Sequence, residues 1–506
     1  MRIPVRAFAS YPRCPAKMNA SAIDAFAFTP SRRHNRTRSC AARSPLVMSS
    51  SSASDGVRET QLAALLATPS EDSERAYYAR ALAPAAFGSA VSVRRVTHGK
   101  GLVAARDFAE GERVLVEPPL AAMQQESNRA DALVCGECFR YVGGVERQIA
   151  RRLLADDATA DAVDRGFLAR LLEGAERLPH ANRFPMPAAV PCPGGCDREV
   201  YCSEACAAAA WAKHERRLCP GPASEAADPD AARAFLEHAR DTNDIFILAA
   251  KVLLTVAHDA ERTLGRTEGE APESDEKGKA LESDETGNAV LDALVAAWEP
   301  FAHAHKAVWW EAVARPEDVA EGEQEREFRD SMRDIAAESS RLLASAVPSA
   351  TTGRFPGLFS LDVFSRVVGM FERNNLEIAV ASPVEDYFLE IDALEDGTEE
   401  KASASAVTGP LLDALDAAYD APCEGTGFFA LQSCMNSDCD PNVAPMKDDE
   451  DIDGKCVLVA KRDISAGEEL TMCYVDENAD VETRRAELAD YGFTCRCDAC
   501  ERESAA

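Results

Sequence analysis

The sequence predicts an α+β fold in which a β-rich domain is interrupted by a cysteine-rich segment and by an α-helical insert. Short β-rich runs broken by glycine occur over residues 91–120, which predicts small antiparallel hairpins. Ala, Leu and Glu recur with the helical period over 228–264 and 289–347, which predicts the insert. Strand-like runs then return at 428–431, 457–461 and 469–474.

The composition limits the class of protein and its partner. The 506-residue chain is 46% hydrophobic and 28% charged, which excludes collagen, a disordered chain and a small disulfide-stapled scaffold. Its formal net charge of −31 repels a nucleic-acid backbone and attracts basic protein segments. We therefore expect a basic protein as partner, no nucleic acid, and a chain that is itself a monomer.

A membrane partner is not expected either. A membrane span requires roughly 20 uninterrupted apolar residues, and no window of the sequence approaches that length. The best apolar run, 245–257, is short and carries Lys251 at its middle.

The N-terminal segment differs from the rest of the chain in charge. Residues 1–50 carry nine Lys and Arg but one acidic residue, Asp24, a composition typical of an organelle transit peptide. A disordered leader is the alternative, because Met48 opens the run MSSSSASDG, which resembles an ordinary flexible N-terminus. We exclude residues 1–55 from the fold. We expect the protein in the cytoplasm or nucleus, or in a plastid or mitochondrion if this segment is a transit peptide.

The seventeen cysteines are informative through their spacing, because eleven of them fall in two groups. Short C-x(2 to 4)-C pairs supply ligands as tetrahedral zinc requires, whereas a disulfide needs only two cysteines at a suitable distance. Zinc is therefore the preferred interpretation and disulfides are the alternative. One histidine within this frame is either a ligand or a surface helix residue. The candidate ligands are Cys135, Cys138, Cys192, Cys196, Cys202, Cys206, His214, Cys219, Cys439, Cys495, Cys497 and Cys500.

Three motifs resemble those of a known family. YCSEACAAAAWAKHERRLC, from Tyr201 to Cys219, resembles the second half of a MYND zinc finger. A resemblance to the C-terminal half of a SET domain with its post-SET cysteines is found in LQSCMNSDCDPNV, GEELTMCYVD and YGFTCRCDAC. The run GKGL at 99–102 resembles the cofactor-binding turn that opens the SET fold. Their order is that of the SMYD family of SET and MYND domain lysine methyltransferases.

This resemblance implies a domain order. Residues 91–134 would form the first part of the SET domain, 135–219 the MYND-type zinc finger, 220–420 the helical insert, 421–480 the SET catalytic core and 481–506 the post-SET segment. Within the insert, residues 265–288 are acidic and bear glycine with nothing to bury, which predicts a linker.

The resemblance also implies about three zinc ions. Cys135, Cys138, Cys202 and Cys206 would hold one, Cys192, Cys196, His214 and Cys219 another, and Cys439, Cys495, Cys497 and Cys500 a third. The third site would tie the end of the chain to the SET core, because its ligands span about 60 residues. A local basic face on the finger is also expected, from Arg198, Lys213, Arg216 and Arg217.

The activity implied is methyl transfer from S-adenosylmethionine to a lysine of a histone tail or other basic protein. Free lysine has a pKa of about 10.4, so the site must desolvate the ammonium and release a proton to water. Tyr474 matches the family's active-site tyrosine, and Tyr491 and Phe493 would form a channel wall. If cofactor binding is weak, the alternative function is a protein-interaction module.

Cofactor contacts are implied at backbone groups of the glycine turn and at a few side chains. They are Gly99, Lys100, Gly101, Asn374, Asn436 and Tyr474, with Asn375 as an alternative to Asn374. The family's Asn-His-Ser-Cys motif reads Asn-Ser-Asp-Cys here, so Ser437 replaces an imidazole that packs near the cofactor. Four further residues with helical spacing are predicted to be ordinary packing residues, namely His303, His305, Trp309 and Trp310.

Overall fold

The computed structural model describes residues 52–269, 283–316 and 318–505. The leader predicted at 1–55 therefore falls outside it except for its last four residues, which begin a helix at Ser52. The acidic linker predicted at 265–288 is helical at both ends, because one helix continues to Gly269 and the next begins at Ser283. Residues 270–282 lie outside the described residues.

Helices contribute most of the described chain. In order they are α1 (Ser52–Leu66), α2 (Glu71–Leu82), α3 (Val145–Leu154), α4 (Asp157–Ala162), α5 (Arg165–Glu173), α6 (Glu204–Ala210), α7 (Arg216–Leu218), α8 (Pro229–Thr242), α9 (Ile245–Gly269), α10 (Ser283–Ala302), α11 (Trp309–Ala312), α12 (Glu323–Ala346), α13 (Ser349–Arg354), α14 (Leu361–Asn374), α15 (Pro383–Asp392), α16 (Glu399–Leu415), α17 (Val481–Ala489) and α18 (Asp498–Ser504).

The strands of the described residues are short. They are β1 (Val91–Val96), β2 (Gly99–Ala104), β3 (Arg113–Glu117), β4 (Ala121–Gln124), β5 (Val190–Pro191), β6 (Val200–Tyr201), β7 (Asn375–Val380), β8 (Cys423–Phe428), β9 (Asn436–Ser437), β10 (Val443–Pro445), β11 (Cys456–Ala460) and β12 (Glu469–Met472). In this part of the chain they form four small sheets, in the orders β1-β2-β12-β9, β10-β11-β3, β4-β8-β7 and β5-β6. The prediction of a mixed α+β fold is confirmed.

The first sheet joins the two ends of the β-rich domain. β1 and β2 form an antiparallel hairpin in which Val96 pairs with Gly99. β12 then pairs with β2 through Leu470 and Leu102, and runs parallel to β9. Leu102 and Leu470 are fully buried in the same hydrophobic core. Residues near 100, 436 and 474 are thereby brought close together.

Helices fill two further cores. In the first, α9 is central, and its apolar run from Ile245 is buried against Phe364 of α14 and Trp309 of α11. Lys251 is also buried there, and its Nζ donates to the carbonyl of Ala122 at 3.4 Å. No helix in the described ranges is long and apolar enough to cross a membrane.

The second helical core is formed by segments far apart in sequence. α3 packs on α15 and α16, α5 packs on α3, and this core buries Leu168, Tyr387 and Leu411. Residues 145–173 therefore belong to a helical layer, although they fall inside the range predicted as zinc finger, 135–219. The spacing between cysteines did not indicate this helical layer, because its helices contact segments that lie more than 200 residues further along the chain.

Several predicted boundaries differ from the structure. The strand predicted at 428–431 is wrong except for its first residue, since β8 ends at Phe428 and a 3-10 turn occupies Gln432–Cys434. β8 contains Gly425, where a Cβ would lie 2.7 Å from the carbonyl oxygen of Met123, so the close pairing of β8 and β4 requires glycine there. The β-branched residue that usually indicates a strand is therefore absent at this position. The helix predicted over 289–347 is interrupted between α10, α11 and α12. β7 was not predicted.

Candidate functional site

One hydrogen-bonded residue connects the glycine turn to the distal half of the chain. Asn436, on β9, donates from Nδ2 to the backbone carbonyl of Lys100 at 3.0 Å and to Glu469 Oε1 at 2.7 Å. The amide is therefore committed to holding β2 against β9 and β12. Asn436 also lies directly beside this turn, where the resemblance places cofactor contacts.

The two glycines of the turn are suited to their positions for different structural reasons. Gly99 has a φ of +106°, and in the described structure no heavy atom beyond its neighbours lies within 4 Å of a Cβ placed on it, so its backbone faces open space. A Cβ at Gly101 would lie 2.6 Å from Val96 Cγ2 and 3.0 Å from Glu469 Oε1. Gly101 therefore permits close strand packing, and Gly99 leaves the backbone accessible to a ligand.

Tyr474 follows β12 and is fixed at both ends. Its hydroxyl donates a short hydrogen bond to the carbonyl of Met435, and its backbone N–H donates to Ser437 Oγ at 3.4 Å. Burial, and then the nearby charges of Cys434 and Glu469, raise the pKa of Tyr474 to about 12. The hydroxyl is therefore neutral at physiological pH. Because its proton points to Met435, its oxygen lone pairs are oriented to accept.

Aromatic rings surround this tyrosine. The ring of Tyr491 lies 5.2 Å from that of Tyr474, and the ring of Phe493 lies 6.5 Å away at 80°. The backbone carbonyl of Tyr491 accepts from Arg373 Nη1 at 3.2 Å, which ties this segment to the end of α14. Phe493 is 37% exposed, so it lies at the outer edge of the group. The structure brings all three predicted catalytic residues together.

A cavity of about 490 Å³ opens beside Tyr474, a size typical of sites for small molecules or single side chains. It is bounded by β7, by the turns around β10 and β11, and by the segment that follows β12. Of the predicted site residues, Asn374, Tyr474 and Tyr491 line it, as does the alternative Asn375. Gly99, Lys100, Gly101, Asn436 and Phe493 do not line it.

The two adjacent asparagines have different partners. Asn374 donates from Nδ2 to the carbonyls of Met370, at 2.7 Å, and His305, at 3.2 Å, so it caps its own helix. Asn375 donates to Thr426 Oγ1 at 2.9 Å across the β7–β8 pair. The assignment of Asn374, with Asn375 as the alternative, stays a prediction.

The residues predicted as packing residues divide into two kinds. Trp309 is fully buried and donates from Nε1 to Glu372 at 2.7 Å, and His303 is buried against the ring of Tyr77 with a centroid separation of 4.7 Å. His305 is exposed. The helical spacing expected of both histidines is wrong, because α10 ends at Ala302 and they follow it.

Four cysteine sulfurs form the first candidate metal centre. The Sγ atoms of Cys135, Cys138, Cys202 and Cys206 all lie within 4.8 Å of one another. Cys138 and Cys202 are 3.5 Å apart, and Cys202 and Cys206 are 3.6 Å apart. A disulfide requires about 2.05 Å, whereas thiolates about 2.3 Å from a tetrahedral zinc lie about 3.8 Å apart. The set fits zinc, and every described cysteine is free of disulfides.

A second group is formed by Cys192, Cys196 and Cys219, whose sulfurs also lie within 4.8 Å of one another. Gly194 is required between them, because a Cβ there would lie 2.4 Å from the sulfur of Cys219. His214 is outside this group, although it is only 6% exposed and lies on a π-helical turn, Trp211–Glu215. A π turn of this kind often marks a functional position, and its role as fourth ligand stays a prediction.

The third group lies at the end of the chain, where Cys439, Cys495, Cys497 and Cys500 converge. Cys439 is 3.8 Å from Cys495 and 3.5 Å from Cys500, again near the edge of a zinc tetrahedron. Arg484 is only 3% exposed, and its Nη2 lies 3.8 Å from the sulfur of Cys500. A buried guanidinium favours thiolates, which is the form that zinc binds.

The basic face expected on the finger is neutralised. Each of its four cations pairs with a carboxylate, as in Lys213 with Glu137 at 2.8 Å and Arg217 with Glu261 at 2.6 Å. The remaining pairs are Arg198 with Glu126 and Arg216 with Glu225. This surface therefore offers no unpaired run of cations from these four residues.

Sequence reasoning missed three residues of the site. Met435 acts through its own backbone carbonyl, which its residue type does not indicate. Glu469 lies within the quoted GEEL motif, so its place beside Asn436 was detectable. Glu377 interrupts the apolar pattern of β7, and an acidic residue in a partly buried strand is the signal that could have found it.

Comparison with known proteins gives a consistent result. The SET domain family matches residues 99–475. The histone-lysine N-methyltransferase ATXR2 of Arabidopsis thaliana is 38% identical over 440 residues, which cover 81% of this chain and 89% of the relative. The protein-lysine N-trimethyltransferase SMYD5 of Gallus gallus is 26% identical over 418 residues, which cover 79% of this chain and 83% of the relative. The histone-lysine N-methyltransferase SMYD3 of Mus musculus is 39% identical over 80 residues, 16% of this chain and 18% of the relative.

Proposed function

The chain belongs to the SET-domain family and is a protein-lysine methyltransferase, and we propose that its substrate is a lysine in a histone tail or another basic protein. One observation carries the assignment of the site. Tyr474, with its hydroxyl proton committed to Met435, lines a cavity next to the sheet that joins Lys100 to Asn436.

S-adenosylmethionine, when bound, supplies the electrophilic methyl group. The open backbone at Gly99 and the carbonyl oxygen of the Asn436 amide are available to hold it, which supports the predicted contacts. The other predicted cofactor contacts are Lys100, Gly101, Asn374 and Tyr474. Ser437, which stands where the family has histidine, keeps Tyr474 in place through the backbone.

The lysine amine must be neutral to act as nucleophile. The rings of Tyr474, Tyr491 and Phe493 exclude water from it, and loss of hydration lowers the pKa of an ammonium. The hydroxyl oxygen of Tyr474 accepts an N–H of the amine and directs its lone pair. The proton released during desolvation leaves through the open side of the cavity.

Zinc contributes structure rather than chemistry to this proposal. The two sets of four cysteines and the set of three support about three ions, in a MYND-type finger and a post-SET site. The post-SET group joins Cys439 of the core to Cys495, which lies two residues after Phe493, and its last cysteine, Cys500, lies on α18. It therefore supports the wall formed by Tyr491 and Phe493.

The test is methyl transfer by the purified full-length chain. Tritiated S-adenosylmethionine is incubated with core histones, histone tail peptides and other basic proteins, with the Tyr474→Phe variant as matched control. We expect label on at least one basic protein and its loss in the variant. Cofactor binding without transfer to any member of the panel would instead support a protein-interaction module.

Cytoplasm and nucleus are the compartments we propose, with an organelle as the alternative because of the basic residues 1–50. Fluorescent fusions of the whole chain and of a chain beginning at Met48 distinguish these. If both fusions give the same signal in the cytoplasm and nucleus, the result supports the proposal. An organelle signal seen only with the longer chain supports the alternative. Light scattering on the same protein tests the proposed monomer.

A further inference from the structure

Glu377 is an acidic side chain that faces the cavity beside Tyr474 without a cation. Six charged residues line that cavity, namely Arg373, Glu377, Lys447, Lys455, Lys461 and Glu477. Five of them have partners. Among the described residues, none donates a hydrogen bond to the Glu377 carboxylate or forms an ion pair with it.

The partners of the other five satisfy their hydrogen bonds, and two of the three lysines are paired with carboxylates. Lys461 pairs with Glu477 at 2.6 Å, and Lys455 pairs with Asp453 at 2.8 Å. Lys447 donates to two backbone carbonyls, of Ala379 at 3.0 Å and of Asp453 at 2.6 Å. Arg373 donates to the carbonyl of Tyr491. A basic ligand entering the cavity therefore finds one unpaired carboxylate.

The surroundings of Glu377 strengthen this point. It lies on β7 opposite Thr426, and within the described residues the charge that acts on it comes from another carboxylate, Glu424 of β8. Burial, and then Glu424, raise the pKa of Glu377 to about 7. An acid in this condition gains free energy when a cation arrives, because the cation restores its charged form.

We propose that Glu377 is a specificity-determining residue that binds the guanidinium of an arginine close in sequence to the target lysine. The proposal rests on the proposed function and names a substrate feature that it leaves open. A carboxylate accepts the planar guanidinium through two parallel hydrogen bonds, which an ammonium cannot form.

The target lysine itself is a poor occupant of this position. A neighbouring carboxylate stabilises the ammonium form, whereas methyl transfer needs the neutral amine. Tyr474, which carries no charge, suits the amine, and Glu377 suits a side chain that keeps its charge. Lys447 and Arg373, which donate to backbone carbonyls, keep their positive charges and disfavour a cation elsewhere in the cavity, so they restrict the arginine to one register.

The experiment uses peptides with one central lysine in a neutral background and an arginine placed at each position from three before it to three after it. Matched peptides carry citrulline, which has the shape of arginine without the charge. Binding to the full-length chain is measured by fluorescence anisotropy, and methyl transfer is measured separately. Wild type, Glu377→Gln and Glu424→Gln are compared, and the last variant removes a charge near the cavity from a residue that does not line it.

We expect wild type to prefer arginine over citrulline at one position by about tenfold or more in Kd, as a charge-assisted pair implies. Glu377→Gln should abolish that preference without lowering the melting temperature, and Glu424→Gln should keep it. An equal preference in Glu377→Gln, or an equal loss of binding for arginine and citrulline peptides, overturns the proposal. Methyl transfer without any arginine preference also overturns it and leaves the proposed function standing. Arginine preference without methyl transfer supports this inference and contradicts the proposed function.

Discussion

The backbone N–H of Tyr474 donates a hydrogen bond to the hydroxyl of Ser437 at 3.4 Å. Ser437 stands where the SMYD family pattern has a histidine, and it pairs with Met472 in the parallel register of β9 and β12. The hydroxyl therefore fixes the start of the segment that carries the active-site tyrosine. Although its residue type departs from the family motif, Ser437 has a structural role at this position.

Replacing Ser437 by alanine should reduce turnover severalfold, because Tyr474 loses this anchor. The stability loss should be about 0.5–1.5 kcal/mol, the usual net value of one hydrogen bond. Ser437→Thr, which keeps the hydroxyl, is the matched control. Turnover and thermal unfolding of the three proteins check this, and an alanine variant as active as wild type contradicts it.

Metal analysis of the folded chain should return about three zinc ions. Cys497→Ser should release one ion, disorder the C-terminal segment and abolish turnover, because zinc binding is coupled to local folding. Cys206→Ser, in the other four-cysteine set, is the comparison and should leave the post-SET ion bound. One ion or none in wild type, or full activity in Cys497→Ser, would contradict the assignment.

Stability should depend on pH through Glu117. Its carboxylate accepts from the N–H groups of Leu431, at 2.9 Å, and Gln432, at 3.0 Å, and it holds the segment that lines the cavity. Burial nevertheless raises the pKa of Glu117 from 4.5 to about 7. Between those values the unfolded chain ionises while the folded chain stays protonated. Its contribution to stability is therefore complete below pH 4.5 and lost as pH rises to about 7.

Glu117→Gln removes this titration while keeping the shape of the side chain. The melting temperature of the variant relative to wild type should therefore increase from pH 4.5 to pH 7.5. Melting curves of both proteins across that range measure the difference. A difference that is constant with pH would mean that folding does not raise the pKa of Glu117.

Binding of a basic peptide should weaken as salt rises, since the net charge is −31. The screening length falls from over ~10 Å to a few Å between ~0.05 and 0.5 M salt. Duplex DNA should bind poorly, because the four cations of the finger are paired with carboxylates. Anisotropy titrations of both probes at several salt concentrations test this, and tight salt-sensitive DNA binding contradicts it.

Local patterns predicted the strands near 91–104, 457–461 and 469–474 well, because each alternates apolar residues over a few positions. The family resemblance, rather than local patterns, identified Tyr474, Tyr491 and Phe493, which the structure brings close together. Pairings across the chain escaped prediction. Asn436 binds the carbonyl of Lys100 through tertiary structure, which residue type and spacing do not encode.

The helical layer inside the predicted finger range was missed for a related reason. α3 and α5 have apolar faces, yet their partners Tyr387 and Leu411 lie far along the chain. The sequence between Cys138 and Cys192 could be interpreted only as a long gap between ligands. The sequence likewise gave no sign that the carbonyl of Met435 accepts the hydrogen bond of the Tyr474 hydroxyl. This bond changes the stability expected of the Tyr474→Phe variant.

Tyr474→Phe keeps the ring and removes the hydroxyl, so methyl transfer should fall on the order of a hundredfold or more. The carbonyl of Met435 loses a hydrogen bond in the variant, so a stability loss of about 1 kcal/mol is also expected. Affinity for S-adenosylmethionine should change much less, because the hydroxyl acts on the amine. Turnover, melting temperature and cofactor affinity are measured together. A variant that melts earlier yet turns over as fast as wild type would make Tyr474 a packing residue, because only its structural bond to Met435 would then matter.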